Sequence, residues 1–422
     1  MQDGFLTVSV VDRVTNRPIQ DALVSIYSIP DEATETTTQT IVYENLPTDI
    51  SGQVTGLTLL APDLIYSQAP SDVRPYSRYI VEVKKDGYET VIINGCQVFP
   101  VVEGRQPVAM EQRERSLLLY KRQAEEILLI DDNTLYGNYP PKIPEADLKP
   151  LPPPTGFVVL DNPVVPEFII VHDGLPTNTS AQNYWMYYKD YIKNVASSEI
   201  YSTWPTATIY ANVIAIVSFT LNRVFTEWYR NQGYNFTITS TTNFDHKFIY
   251  GRNTFDTINV AVDEVFNTFI KRPPTARQPL LAQYCDGAKS QCPGQMTQWG
   301  SKALGDQGRT SDQILKSFYG NNLTFATAQV VTGVPISYPG YALTLWSSGA
   351  PVRTIQGQLN AIANSYSAIP RLRVDGIYGP ATQESVRTFQ KVFGLPQSGI
   401  VDFKTWFEIS HIYTAVTKIA AL

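Results

Sequence analysis

At 422 residues the chain is long enough for about two to four separate cores. Hydrophobic residues make up 43% and charged residues 17%, which excludes a disordered polymer. A net charge of −6 without any basic run argues against a nucleic-acid partner.

The opening MQDGFLTVSVV has neither a basic region nor a small-residue cleavage site, so no signal peptide is read there. The most apolar stretch, Ala207 to Leu221, is broken by Tyr210, Asn212 and Ser218 and reads as a buried helix rather than a membrane span. Three cysteines, Cys96, Cys285 and Cys292, are too few for a disulfide framework. Tyrosine is abundant, which suits either sugar grooves or packed cores.

In chain order, residues 1–112 read as strands. Leu6, Val8 and Val10 alternate with polar neighbours, as do Ala22, Val24 and Ile26, and then Tyr79, Val81 and Val83 before the turn at Lys85-Asp86-Gly87. Period-two patterning with Gly, Pro and Asp punctuation predicts an antiparallel β-sandwich, with a polar, poorly patterned insert at 29–75. The layout DRVTNRPIQDALVSIY, TDISGQVTGL and YIVEVKKDGYET resembles the carboxypeptidase regulatory-like, transthyretin-type sandwich. Residues 113–130, RERSLLLYKRQAEEILLI, read as an amphipathic helix. The run that follows to residue 155 contains Pro140, Pro141, Pro144, Pro150, Pro152, Pro153 and Pro154. It reads as an extended, exposed linker, either a plain spacer or a place where proteases cut.

A middle domain is expected at 156–325. It opens on the buried-strand run Phe168 to Val171, ending at His172-Asp173-Gly174, and its central helix follows Pro205. Glu199 stands five residues before Trp204-Pro205. Near a helix start a glutamate is ordinarily solvated or capping. In an apolar cleft it would instead stay protonated and serve as a general acid.

This segment, with GQMTQWGSKALGDQGRTSDQILKSFYG further on, resembles the SpoIID/LytB family, through Gly294, Gln298, Trp299, Gly300, Gly308, Ile314, Leu315 and Tyr319. The alanine-rich helix of that family is here the divergent ATIYANVIAIVSFTLNR. The resemblance implies a lytic transglycosylase acting on peptidoglycan with Glu199 as the catalytic residue. Trp204, Gln298 and Trp299 would be the substrate-binding residues. One carboxyl suffices for that reaction, and Asp173, Asp245, Asp256 and Asp263 are possible partners should the enzyme hydrolyse instead. No cofactor is expected.

Cys285 and Cys292, in QYCDGAKSQCPG, lie where some relatives bind zinc through two cysteines and a histidine. Zinc, a disulfide and free thiols all remain open. The three histidines, His172, His246 and His411, are scattered. That weighs against a zinc amidase, the competing enzyme class, and a non-catalytic wall-binding scaffold is the third reading. Cys96 is expected to be a buried or edge thiol.

After a linker at 326–344, residues 345–422 show helical stripes at Ile355, Leu359 and Ile362 and at Val386, Phe389 and Phe393. The pieces V..IQ..L, DGIYGPAT, V..FQ and GL…G.VD..TW resemble the peptidoglycan-binding type 1 family, a three-helix fold. The expected class is therefore α+β multidomain: an antiparallel β-sandwich, a mixed α/β SpoIID-like domain and a three-helix wall-binding domain. The whole layout resembles the spore cortex-lytic enzymes of spore-forming anaerobes. That implies a zymogen of the spore cortex and coat region, with cortex peptidoglycan as substrate and a subtilisin-like Csp protease as activator. It would be made in the mother cell.

Overall fold

The computed structural model describes residues 1–29, 40–113, 125–149, 162–330, 339 and 341–417. The N-terminal part is a two-sheet sandwich built from β1 (Gln2–Asp12), β2 (Leu23–Ser28), β3 (Thr40–Pro47), β4 (Gln53–Ala61), β5 (Ser77–Lys84), β6 (Thr90–Val98), β7 (Glu103–Met110) and β8 (Glu125–Leu129). One sheet contains β7-β1-β4 and the other runs β3-β2-β5-β6-β8. Alternate residues point inward. Leu6, Val8, Val10, Val24, Ile26, Leu57, Val81, Val83, Ile93 and Val108 form its core.

Three expectations are corrected here. The sandwich is mixed rather than antiparallel, because β1 pairs parallel with β7 and β6 pairs parallel with β8. Period-two patterning tells which face a residue takes but not strand direction; the chain through β2 to β6 separates β1 from β7, and β7 with the residues after it separates β6 from β8, which provides the crossovers that parallel pairs require. The insert at 29–75 carries β3 and β4, and β4 buries Leu57, Leu59 and Ala61 in clean alternation. Of the expected helix at 113–130, Arg113 is helical and residues 114–124 lie outside those described, while Glu125–Leu129 form a strand instead. Glu126, Ile127 and Leu128 are drawn into the sheet by the open edge of β6, a partner that local pattern cannot reveal.

In the middle domain the strand Phe168–His172 pairs with Asn183–Tyr187 and, in parallel, with Ile238–Thr239. Its helices are α1 (Tyr188–Glu199), α2 (Thr206–Phe225), α3 (Asp256–Val265), α4 (Gln298–Asp306) and α5 (Ser311–Tyr319). Helix α2 is apolar on nearly every side because α1, α3, α4, α5 and the strand Thr268–Lys271 surround it. It is long and apolar enough to cross a bilayer, yet almost all of it is buried inside the protein. Its hydroxyls turn back onto the helix: Ser218 Oγ donates to the Ile214 carbonyl at 2.6 Å and Thr220 Oγ1 to the Ile216 carbonyl at 2.8 Å.

The last helices are α6 (Ala350–Ile362), α7 (Pro380–Val392) and α8 (Phe403–Thr417). Pro380 occupies the first turn of α7, where its missing N–H leaves nothing unsatisfied. The two glutamines of the motif explain its spacing. Buried Gln356 donates to Asp375 Oδ1 and the Ile377 carbonyl, both at 3.0 Å, and accepts from Gly376 N at 2.8 Å. Gln390 repeats this on Ser398-Gly399-Ile400, donating to the Ile400 carbonyl at 3.0 Å and accepting from Gly399 N at 2.8 Å. Each glutamine thus holds a turn whose glycine has a left-handed backbone, φ 78° at Gly376 and 66° at Gly399.

Gln390→Leu keeps the volume and strands the Gly399 N–H and the Ile400 carbonyl. It should cost about 2–3 kcal/mol, read as a lowered urea midpoint of the C-terminal module.

Candidate active site

Glu199 is the last residue of α1, not a residue at a helix start, and it is 2% exposed. Its Oε1 accepts from Lys247 N at 2.7 Å, and Oε2 accepts from the Tyr284 hydroxyl. Its own carbonyl, free at the helix end, accepts from Gln298 Nε2 at 3.0 Å and Thr134 Oγ1 at 3.4 Å. The carboxyl faces a cavity of about 350 Å³ whose lining includes Tyr284, Gln298, Asp286, Thr134 and Lys142.

Burial pushes the Glu199 carboxyl above its ordinary pKa. The Lys142 ammonium opposes this most, followed by the Tyr284 hydroxyl and the Lys247 amide. Burial and the adjoining carboxylate hold the Tyr284 phenol far above its usual range, so it remains a donor. Burial draws Lys142 down; its ammonium sits 4.7 Å from the centroid of the Tyr284 ring. The His246 imidazole is held neutral by burial, with Nδ1 3.1 Å from the Tyr191 hydroxyl and its ring stacked at 6.0 Å on Tyr284.

Gln298 reaches the site. The two tryptophans lie behind it, in an aromatic cluster: Trp204 packs on Trp299 at 5.1 Å and on Tyr201 at 5.7 Å, and its indole N–H donates to the Ser67 carbonyl at 2.9 Å. Neither tryptophan lines the cavity. The four aspartates stand elsewhere. Asp245 is buried against Arg223 at 2.7 Å, Asp263 against Lys189 at 2.8 Å, Asp256 grips Arg105, and Asp173 is exposed at a strand end. The second carboxyl lining the cavity is Asp286, whose oxygens accept from Lys289 N at 2.9 Å and Ser290 N at 2.8 Å. It shapes the loop between the cysteines, leaving Glu199 as the acid aimed into the space.

Cys285 and Cys292 are joined as a disulfide, which takes both thiolates away from a metal. Among the described residues no three His, Cys, Asp or Glu side chains cluster in a way that could hold a metal ion. His172 is built into the fold, 2.8 Å from Asn183 Oδ1 and stacked at 4.4 Å on Phe236. His411 lies beside Glu408 in α8, and Cys96 is a buried free thiol. Sequence reasoning missed Tyr284, Lys142 and the Lys247 amide. Tyr284 adjoins the cysteine motif and could have been flagged; a backbone amide carries no signature.

The stretch at 131–149, expected to be an exposed linker, is instead fastened along this domain. Thr134 N donates to the Ser198 carbonyl at 2.9 Å, Ile143 N to the Asn243 carbonyl at 2.7 Å and Lys149 N to Gln278 Oε1 at 2.8 Å. Pro140 and Pro141 keep it extended, and the bonds it cannot make within itself go to the domain beneath. The remaining prolines, from Pro150 to Pro154, lie outside the described residues.

Comparison with known proteins identifies one part of the chain. Residues 348–407 match the family model of the peptidoglycan binding domain. No curated protein matches the chain. Among solved structures, the 3-chlorocatechol 1,2-dioxygenase of Rhodococcus opacus 1CP aligns at 12% identity and a TM-score of 0.17, over 26% of this chain and 60% of that one. At that score the likeness bears on neither fold nor function. The chain therefore carries a peptidoglycan-binding domain, and the bacterial wall polymer is its partner.

Proposed function

We propose that the protein is a lytic transglycosylase that cuts peptidoglycan glycan strands at N-acetylmuramic acid, with Glu199 as acid and then base. The observation that carries this reading is a buried carboxyl, raised in pKa by desolvation, facing a cavity in a chain that also carries a peptidoglycan-binding domain. In the reaction the Glu199 proton passes to the glycosidic oxygen, which departs as the hydroxyl of the next sugar. The carboxylate then takes the proton of the muramic C6 hydroxyl, whose oxygen bonds to C1 and closes the 1,6-anhydro ring. No water is consumed and no second carboxylate is needed.

The sequence resemblance to SleC-type spore cortex-lytic enzymes extends the reading. On it the protein is a proenzyme of the spore cortex, activated at germination when a subtilisin-like Csp protease removes the N-terminal region. Digestion of purified cortex by the cut chain, followed by mass spectrometry, tests the chemistry. Anhydro-muramic ends are expected. New reducing ends would instead indicate a hydrolase, freed stem peptides an amidase, and no soluble product a binding scaffold. Glu199→Gln should abolish release of fragments; full activity in that variant overturns the assignment.

The pH dependence follows from the donors around Glu199. The reaction starts from the protonated acid, so activity falls as pH rises through its pKa. The Tyr284 hydroxyl favours the carboxylate, so Tyr284→Phe removes a lowering influence and raises that pKa. The alkaline limb of the cut chain's rate profile should move to higher pH; a shift the other way excludes Glu199 as the group it reports.

A further inference from the structure

We propose that the two turns ahead of α6 and α7, residues 341–349 and 372–379, form the face of the C-terminal module that docks peptidoglycan. A sugar ring of the glycan lies on the Trp346 indole, and carboxylates of its stem peptide meet Arg353 and Arg373. This docking face rests on the match of residues 348–407 to the peptidoglycan binding domain and is independent of the role of Glu199.

Two sides of the module are already occupied. Helix α8 is laid on the middle domain: Lys189 Nζ donates to Glu408 Oε2 at 2.7 Å, and Phe403 and Phe407 pack on Phe266 at 5.6 and 5.4 Å. The end of α7 and the turn after α6 face the sandwich. There Gln53 Nε2 donates to the Val392 carbonyl at 2.8 Å, and the Tyr366 hydroxyl to the Asn16 carbonyl at 3.4 Å. The turns ahead of α6 and α7 are left outward. Among the described residues from 341 onward, every large apolar side chain that stands exposed belongs to them: Tyr341, Trp346, Val374 and Ile377. Single exposed apolar residues are ordinary, whereas a set gathered on two adjoining turns marks a contact surface.

Backbone bonds lace the two turns together. Trp346 N donates to the Tyr378 carbonyl at 2.8 Å, Tyr378 N to the Ser347 carbonyl at 2.8 Å and Gly349 N to the Gly376 carbonyl at 2.9 Å. With Gln356 fastening the second turn from beneath, the exposed residues ride on a fixed frame, which lowers the ordering cost of binding. Trp346 is 70% exposed at φ 72°, a left-handed backbone that a bulky residue adopts only at a cost. That cost gains no packing, because the ring stands in water; what it does is aim an indole outward. An indole offers a flat apolar surface to the C–H face of a pyranose ring. Charge points the same way. Residues 341–380 carry Arg353, Arg371 and Arg373 against Asp375 alone, in a chain of net charge −6. Arg353 and Arg373 are exposed, and Arg353 lies against the turn, where a Cβ on Gly376 would stand 2.8 Å from its Cγ. A locally basic face complements the stem-peptide carboxylates of the wall polymer.

The test is cosedimentation of the full chain with purified insoluble peptidoglycan, and with the same material stripped of stem peptides by an amidase. All chains carry Glu199→Gln so that the polymer stays intact. Trp346→Gly removes the indole where the backbone favours glycine, so the module stays folded, as an undiminished thermal midpoint checks. This variant should bind both materials at least about tenfold more weakly, the loss expected of a central aromatic anchor. Trp346→Tyr, which keeps a stacking face, should retain most of the binding. Arg353→Ala/Arg373→Ala should weaken binding to whole peptidoglycan about threefold and leave binding to the stripped glycan unchanged. Trp185→Ala, which removes a comparably exposed indole from the middle domain, should bind as the parent does. Undiminished binding by Trp346→Gly, or an equal loss in Trp185→Ala, overturns this face while peptidoglycan remains the partner. An arginine effect of the same size on stripped glycan overturns the carboxylate contact. Failure of the parent to bind either material overturns the partner and the face together.

Discussion

The region around the cavity depends on a guanidinium with no access to water. Arg223, near the end of α2, has a side chain 0% exposed. It donates through Nε to Asp245 Oδ1 at 2.7 Å and through its two terminal nitrogens to Glu145 at 2.6 and 3.1 Å. A buried charge that loses its partners costs several kcal/mol, about 3–5 when one member of a pair is removed. The fold must therefore deliver two carboxylates to this point. One comes from the turn that follows Ile238–Thr239, where Asp245 also accepts from Tyr229 Oη at 2.6 Å and Thr239 N at 2.9 Å. The other, Glu145, comes from the segment at 131–149 that is fastened along the domain. The core helix, the strand edge and the segment over the active site are thus held by one planar group, whose fork geometry a lysine could not reproduce.

The sandwich is docked on the middle domain as well as joined to it by the chain. Thr254–Phe255 adds to its sheet by pairing with β7, and Arg105 holds Asp256 through two bonds of 2.5 and 2.9 Å at the start of α3. Phe99 packs against Tyr201 at 5.5 Å and Phe255 at 5.1 Å. These contacts, with the bond from Trp204 to Ser67, grip the segment that directly follows Glu199. Gln53 Nε2 reaches the Val392 carbonyl at 2.8 Å, so the same sandwich touches the wall-binding module.

What could be read from the sequence was what depends on near neighbours. The alternation at Leu6, Val8 and Val10 marks an inward face, and the run Thr206–Phe225 is too apolar for anything but a core helix in a folded domain. Gln356 and Gln390 mark turns whose glycines stand in the motif itself. What could not be read depends on distant partners. Pro140 to Lys149 has the composition of a solvated linker, yet its polar groups are answered by Gln278, Gln283 and Arg223, all from far along the chain. Glu125–Leu129 carries the charges of a helix surface and becomes a strand because β6 offers it an edge. Glu199 was found through its setting before Trp-Pro, but its depth comes from a cover that composition placed in water.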